Sequence, residues 1–377
     1  CIRDRAYTMP ADQPKFGELY DADGELVADH ENLHPTKLDH DNPLHAFYNL
    51  KPGLGELSDL NESNPDVLEY FVAAYSQWLD QGVAAFRIDT IAHMPHAFWK
   101  SFSDRIREKR PGLFMFSEHF DYDAQDIAPN TWPENGAISV LDFPGKDAMN
   151  RVFAGDEPYA SLESYLHLES GLYQNPYELM TFYDNHDMDR MAADTNGFID
   201  ANNWLFTSRG IPVVYYGSES GFQAGTNEHT GNRNYFGQEN IEAAKRHPIH
   251  EALMRVANLR KHSIALQRGL QVNVTFGDDQ AVFFRVYQKD GVAQTALVAL
   301  NKSDESSPVS VSHLMSAGTW RAAFTGQPID IPDDGEALVI DVPAHGVRVL
   351  FFDAPVTNAE LLVELDKLQA SGHRRTP

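Results

Sequence analysis

An α/β segment built from strand–helix units, followed by an antiparallel β domain, is the fold class this chain predicts. Three observations carry the prediction. Between residues 65 and 217, apolar positions at helical spacing alternate with short apolar runs, the pattern of a parallel sheet covered by helices. Several of those runs end in an acidic residue: Asp89, Glu118, Asp142, and Asp184 to Asp187. After about residue 270 the texture becomes short β-rich runs separated by Gly, Asp, Asn and Pro turns.

Residues 1–60 are rich in Asp, His, Asn, Pro and Gly, which favour turns over long helices. His30, His34, His40 and His45 lie there among Asp29, Asp39 and Asp41, but no tight ligand spacing repeats, so a solvated loop is the better reading than a metal cluster. Asn64-Pro65 then opens a helix whose Val67, Tyr70, Phe71, Ala74, Trp78 and Leu79 share a stripe, and Gly82 stops it. Val83–Asp89 reads as a buried strand, Phe98–Lys109 as a helix closed by Pro111-Gly112, and Leu113–Glu118 as the next strand. Ile138–Asp142, Leu179–Asp184 and Ile211–Tyr216 read as further strands. In the β domain, strands are expected at 272–276, 281–287, 295–300, 309–311, 320–324 and 347–352, before an amphipathic helix over 358–370.

The chain has 377 residues, 42% hydrophobic, with 55 Asp plus Glu against 30 Lys plus Arg and a formal net charge of −25. That surface repels nucleic acid and anionic lipid and tolerates a neutral polymer. No run of 18 apolar residues appears, so no membrane span is expected. One cysteine excludes an intramolecular disulfide framework.

Strand ends converge on one face of a β/α barrel, so acids far apart in sequence can meet there. Arg87 and Asp89, two apart on a strand, leave the same face, and an arginine neighbour holds a carboxylate ionised, as a nucleophile requires. A structural ion pair would look the same. Glu118 sits among Phe114, Phe116 and Phe120, where poor solvation favours the protonated form that a general acid needs; an ordinary surface glutamate after a strand is the alternative. Asp184-Asn185-His186-Asp187 crowds two acids, an amide and an imidazole into four positions, which packing does not require. Glycoside hydrolysis unites these pieces. Its oxocarbenium-like transition state wants one carboxylate facing the anomeric carbon and one carboxylic acid at the leaving oxygen.

Phe86–His93, Phe116–Phe120, Tyr183–Asp187 and Gly210–Glu219, in that order, resemble four signature blocks of the α-amylase family, glycoside hydrolase family 13. Leu57–Asn61 resembles a fifth. Within the family the chain looks most similar to cyclodextrin glucanotransferases and related bacterial amylases, through Ala92–Pro95, Asn185–Arg190 and Thr207–Gly210. The resemblance implies a (β/α)8 TIM barrel lacking its first three strands, plus a C-terminal antiparallel β-sandwich. The implied domains are 1–60, a remnant of an inserted loop domain; 61–268, strands four to eight of the catalytic barrel; 269–355, the β domain; and 356–377, a helix and tail.

The implied activity is retaining cleavage of α-1,4-glucosidic bonds in starch-like glucans and maltooligosaccharides. Asp89 is the implied nucleophile, Glu118 the acid/base and Asp187 the third carboxylate. Arg87, His93, Phe120 and His186 are implied to contact substrate. Structural Ca2+ is implied through Asp59 and the carbonyls of His93 and Leu50. Family habit suggests a secreted or periplasmic location. Ala92 replaces the usual lysine, and Gly55 stands where cyclodextrin-forming enzymes carry an aromatic, so hydrolysis is expected over cyclisation. A glucanotransferase and a catalytically incompetent glucan-binding fragment are the alternatives. The family's earlier strands and a further block precede the segment resembling residues 7–60, so residues 1–377 by themselves are expected to be unstable or inactive.

Overall fold

The computed structural model describes residues 45–52, 58–223, 232–311 and 313–372, with strands Leu19–Tyr20 and Leu26–Ala28 and the single positions Asp39 and Asp41. The readings on His30, His34, His40 and Gly55 lie outside the described residues. His45 is buried and accepts a hydrogen bond from the Asp39 N–H at 3.0 Å. The chain divides into two compact units: residues 1–119 with 133–138, and residues 120–132 with 139–377.

In the first unit β1 (Leu19–Tyr20) pairs antiparallel with β2 (Leu26–Ala28), and β3 (Tyr48–Pro52) with β4 (Ser58–Leu60). Helix α1 (Pro65–Asp80) starts where the sequence places it. The Asn64 side chain accepts from the Asp66 N–H, Pro65 takes the first turn, and Gly82 ends the helix at φ 94°. Then follow β5 (Ala85–Ile88), α2 (His96–Lys109) and β6 (Phe114–Ser117), with β5 and β6 parallel and Arg87 opposite Phe116. Alternation sends Phe86, Ile88 and Met115 into a core with Val67, Leu79, Phe98, Phe102 and Ile106. That core seats the strand ends.

The second unit begins with α3 (Ala124–Ile127), β7 (Ser139–Val140), α4 (Phe143–Phe153), α5 (Glu163–Leu166), β8 (Met180–Thr181), α6 (Thr195–Thr207) and β9 (Ile211–Pro212). The three strands are shorter than expected from the apolar runs. Past Val140 and Thr181 the acids that end those runs turn to side-chain partners: Asp142 caps α4, and Asp184 takes up Ser218. The parallel order is kept by a bridge between Leu141 and Met180, by β8 against β9, and by Val213 N–H donating to the Thr181 carbonyl at 2.8 Å.

Helices α7 (Gly237–Ala244), α8 (Pro248–Lys261) and α9 (Ile264–Arg268) lead into the β region. Its strands are β10 (Leu270–Phe276), β11 (Gln280–Lys289), β12 (Val292–Asn301), β13 (Ser307–Val311), β14 (Gly318–Ala322), β15 (Pro328–Ile331), β16 (Leu338–Val342) and β17 (Gly346–Phe352). The order β10-β11-β12-β17-β14-β15 makes one antiparallel sheet, and β13 pairs with β16. Two strands of this region escaped the sequence reading, as did β1 to β4 in the segment read as irregular. β15 opens on Pro328 and occupies the sheet edge, where a missing N–H is harmless and the apolar signal is weak. β16 lies in the small two-stranded sheet.

Both faces of the large sheet are covered. Phe283, Val298 and Phe351 pack with Trp204, Phe198 and Leu259 of the helices. Phe284, Leu297 and Leu350 pack with Val309, Val342 and helix α10 (Ala359–Ser371). Among the described residues no helix is long and apolar enough to cross a membrane.

Candidate active site

Strand β5 buries Phe86 and Ile88 and so presents Arg87 on the opposite face. Asp89 follows directly. Thr90 then adopts φ 53°, and this left-handed residue turns the chain into a single 3₁₀ turn, Ile91–His93. Two main-chain bonds stitch the ends of β5 and β6: Glu118 N–H donates to the Ile88 carbonyl at 2.8 Å, and Ile91 N–H donates to the Glu118 carbonyl at 3.0 Å. The side chains meet as a consequence. Arg87 Nη1 lies 2.8 Å from Asp89 Oδ1, and Arg87 Nη2 lies 3.4 Å from Glu118 Oε2. One guanidinium therefore holds both carboxylates, the closer contact falling on Asp89. The Asp89 side chain keeps 42% of its surface open to solvent and Glu118 only 10%, so two adjacent acids sit in unlike surroundings. His93 is exposed at the end of the 3₁₀ turn.

The donors expected for calcium lie in the same unit. Asp59, on β4, accepts from Asn49 Nδ2 at 3.0 Å, and that amide also donates to Glu62 Oε2 at 3.0 Å and to the Leu60 carbonyl at 2.9 Å. Leu50 lies in β3. Oxygen donors suit calcium, but a closed site takes six to eight of them. Among the described residues no group of three or more His, Cys, Asp or Glu side chains could hold a metal ion. The expected donors alone do not complete a calcium shell, and no step of the chemistry below runs through one.

In the second unit the block after β8 builds a polar cluster of its own. Asn185 Oδ1 accepts from the Asp187 N–H at 2.8 Å, fixing the turn. Asp187 Oδ2 lies 2.8 Å from His186 Nε2, and its Oδ1 meets Arg233 Nη2. The His186 hydrogen bond foremost, followed by the His186 and Arg233 charges, outweighs desolvation and holds the Asp187 carboxyl below the usual carboxylate range. Arg233 Nε also donates to the His186 carbonyl at 2.8 Å. Arg190 stacks over Tyr215 and Tyr216, 4.6 and 5.0 Å from their ring centroids, and donates to the Asn232 carbonyl at 3.1 Å, tying this loop to its neighbours. Phe120 is 53% exposed and packs edge-on to Phe143 at 4.9 Å, an open aromatic face braced by a buried one. Arg233 was missed by the sequence reading. It stands in a polar turn, Asn232–Asn234, with no apolar periodicity to set it apart.

Two of the strand-end acids prove structural. Asp142 is fully buried, bonded at 2.6 Å to an equally buried Arg209, and caps α4 through the Gly145 N–H. Asp184 accepts Ser218 Oγ at 3.0 Å on each oxygen. Burial pushes the Asp184 carboxyl up to about 6, against the Ser218 bond and the Arg190 charge. Because the folded state holds this proton more tightly than the unfolded chain does, stability is highest below about pH 4 on this account and falls as pH rises to about 6. Raising a carboxyl from 3.8 to about 6 corresponds to about 3 kcal/mol. Asp184→Asn, which can still accept from Ser218, is expected to flatten that decline. Thermal unfolding followed from pH 4 to 8 checks it; equal slopes in both proteins would contradict it.

Residues 38–260 match the α-amylase catalytic domain. An α-amylase of Niallia circulans is 31% identical over 346 residues, covering 88% of this chain and 63% of that protein. A cyclomaltodextrin glucanotransferase of Geobacillus stearothermophilus is 30% identical over 369 residues, covering 92% of this chain and 50% of that protein. The chain thus spans about half the length of the curated glucanotransferase it matches. A solved cyclomaltodextrin glucanotransferase with a three-domain ABC distribution superposes with a TM-score of 0.73 at 26% identity, over 90% of this chain and 71% of that one. Parallel strands that end in paired acids, the antiparallel sheet that follows them, and a catalytic-domain match over more than half the residues lead to one conclusion: the chain belongs to the α-amylase family, glycoside hydrolase family 13.

Proposed function

We propose that this chain carries the catalytic carboxylates of a retaining enzyme that cleaves α-1,4-glucosidic bonds in starch-like glucans and maltooligosaccharides. The observation that carries the reading is the Arg87 fork, one guanidinium contacting both Asp89 and Glu118 at adjacent strand ends. Asp89 takes the shorter contact and the greater exposure, the setting for an anion that must reach substrate. Its oxygen attacks the anomeric carbon as the glycosidic C–O bond breaks, and Glu118 gives its proton to the departing oxygen. A water then attacks the same carbon, Glu118 takes its proton, and the bond to Asp89 breaks. Within the second unit, Asp187, His186 and Arg233 supply polar groups suited to sugar hydroxyls, and Phe120 an exposed aromatic face suited to a sugar ring. The domain division at residues 60, 268 and 355 and export from the cytoplasm belong to the same proposal, in which Asp59 and the Leu50 and His93 carbonyls would supply only part of a calcium shell.

The glucanotransferase alternative uses the same intermediate with a sugar acceptor in place of water. It is favoured by the similarity to glucanotransferases, and hydrolysis by Gly55 and Ala92. Product analysis on maltoheptaose separates them: only shorter products support hydrolysis, and longer or cyclic products support transfer. Arg87→Met is expected to lower kcat by roughly 10²-fold or more, the scale set by losing one preorganised electrostatic contact. A change below threefold in kcat would remove the guanidinium from the account.

A further inference from the structure

A small cleft in the second unit, apart from every acid discussed above, has the chemistry of an anion site. Its volume is about 160 Å³, and it opens between α6, α8 and the turn that enters β17. Asn203 lines it with 4% of its surface exposed, and its amide N–H donates to the His345 carbonyl at 3.5 Å, the limit of a hydrogen bond. Arg255 is held by the face of Phe324, its guanidinium carbon 5.0 Å from the ring centroid, and no carboxylate pairs with it among the described residues. Arg348 donates through Nε to the Asp341 carbonyl at 3.1 Å, which orients the guanidinium. The Asp341 carboxylate is itself engaged by Ser306 Oγ at 2.8 Å.

Among the described residues the walls contain no Asp or Glu, although the chain carries 55 of them against 30 Lys plus Arg. His345, at φ 47°, lines the cleft with its backbone turn, while its ring is taken by Asp200 at 2.7 Å and Asp304 at 3.0 Å.

Two guanidinium forks and the Asn203 amide N–H supply donors, and no carboxylate lines the cleft among the described residues. Planar forks bind tetrahedral oxyanions through paired N–H bonds, and an ammonium would find no carboxylate on these walls. The space admits one compact anion.

We propose that this cleft binds a phosphate group, either free inorganic phosphate or a phosphomonoester on a sugar. The test is calorimetric titration of the whole chain with inorganic phosphate and, separately, with glucose 6-phosphate, using sodium chloride and glucose as matched controls. Saturable binding of phosphate or of the ester, lost at least tenfold in Arg255→Gln/Arg348→Gln, is the expected result. The two arms name the source: equal affinities point to the free ion, and a clear preference for the ester points to a phosphorylated sugar. Arg348→Gln, on the exposed face of a strand, is the milder variant if the double substitution unfolds, and should weaken binding at least threefold. Absence of saturable binding, or equal binding in the variants, overturns the proposal.

Discussion

Replacing Asp89 by Asn, or Glu118 by Gln, is expected to lower hydrolysis of maltoheptaose by roughly 10³-fold or more in kcat with little change in fold, because each removes a group that acts in the transition state. Both substitutions keep the side-chain shape and leave Arg87 an oxygen to contact. The amide at 89 cannot attack carbon, and the amide at 118 cannot give up a proton. The two variants should separate on an activated substrate. A maltosyl fluoride leaves without protonation, so Glu118→Gln should recover much of its first-step rate and Asp89→Asn should not. Residues that act as one unit are not additive, so the double variant should be no worse than the poorer single one. Initial rates on both substrates check all three statements.

Arg209→Met is expected to destabilise the second unit by about 3–5 kcal/mol, the cost of leaving one member of a buried ion pair without its partner. The pair is closed on every side. Both side chains have no solvent exposure, and Arg209 also donates to the carbonyls of Leu166 at 3.0 Å and Tyr165 at 2.6 Å. Removing the guanidinium therefore strands Asp142 together with two carbonyl oxygens. For a unit of this size the loss corresponds to a drop in Tm on the order of 10 °C. Arg209→Met with Asp142→Leu removes both charges and should recover part of that loss. Thermal unfolding of the three proteins measures it. A double variant no better than the single would show that the backbone contacts, not the ion pair, hold this corner.

The parts legible in sequence are those with local causes. Asn64-Pro65 and Gly82 bracket α1 because capping and a left-handed exit are decided within a few residues. The Arg87–Asp89 contact was readable because strand residues two apart share a face. The same rule could not tell which strand-end acids remain open to solvent. Asp142 and Asp184 carry the same local signature as Asp89, an acid closing an apolar run, yet their partners Arg209 and Ser218 lie 67 and 34 residues away. Long-range pairing leaves no trace in spacing. Arg233 was hidden for the same reason, reaching Asp187 across 46 residues from a turn without periodicity. The edge strand at Pro328 was lost to its proline and its brevity.

In the proposed mechanism Asp89 becomes covalently bonded to sugar. Incubating the Glu118→Gln variant with a maltosyl fluoride, followed by proteolysis and mass spectrometry, interrogates that bond directly, since the first step no longer needs a proton and the second lacks its base. The expected result is a maltosyl adduct on the peptide containing Asp89. An adduct on another residue, or fluoride release with no adduct and a product of inverted anomeric configuration, would contradict the assignment.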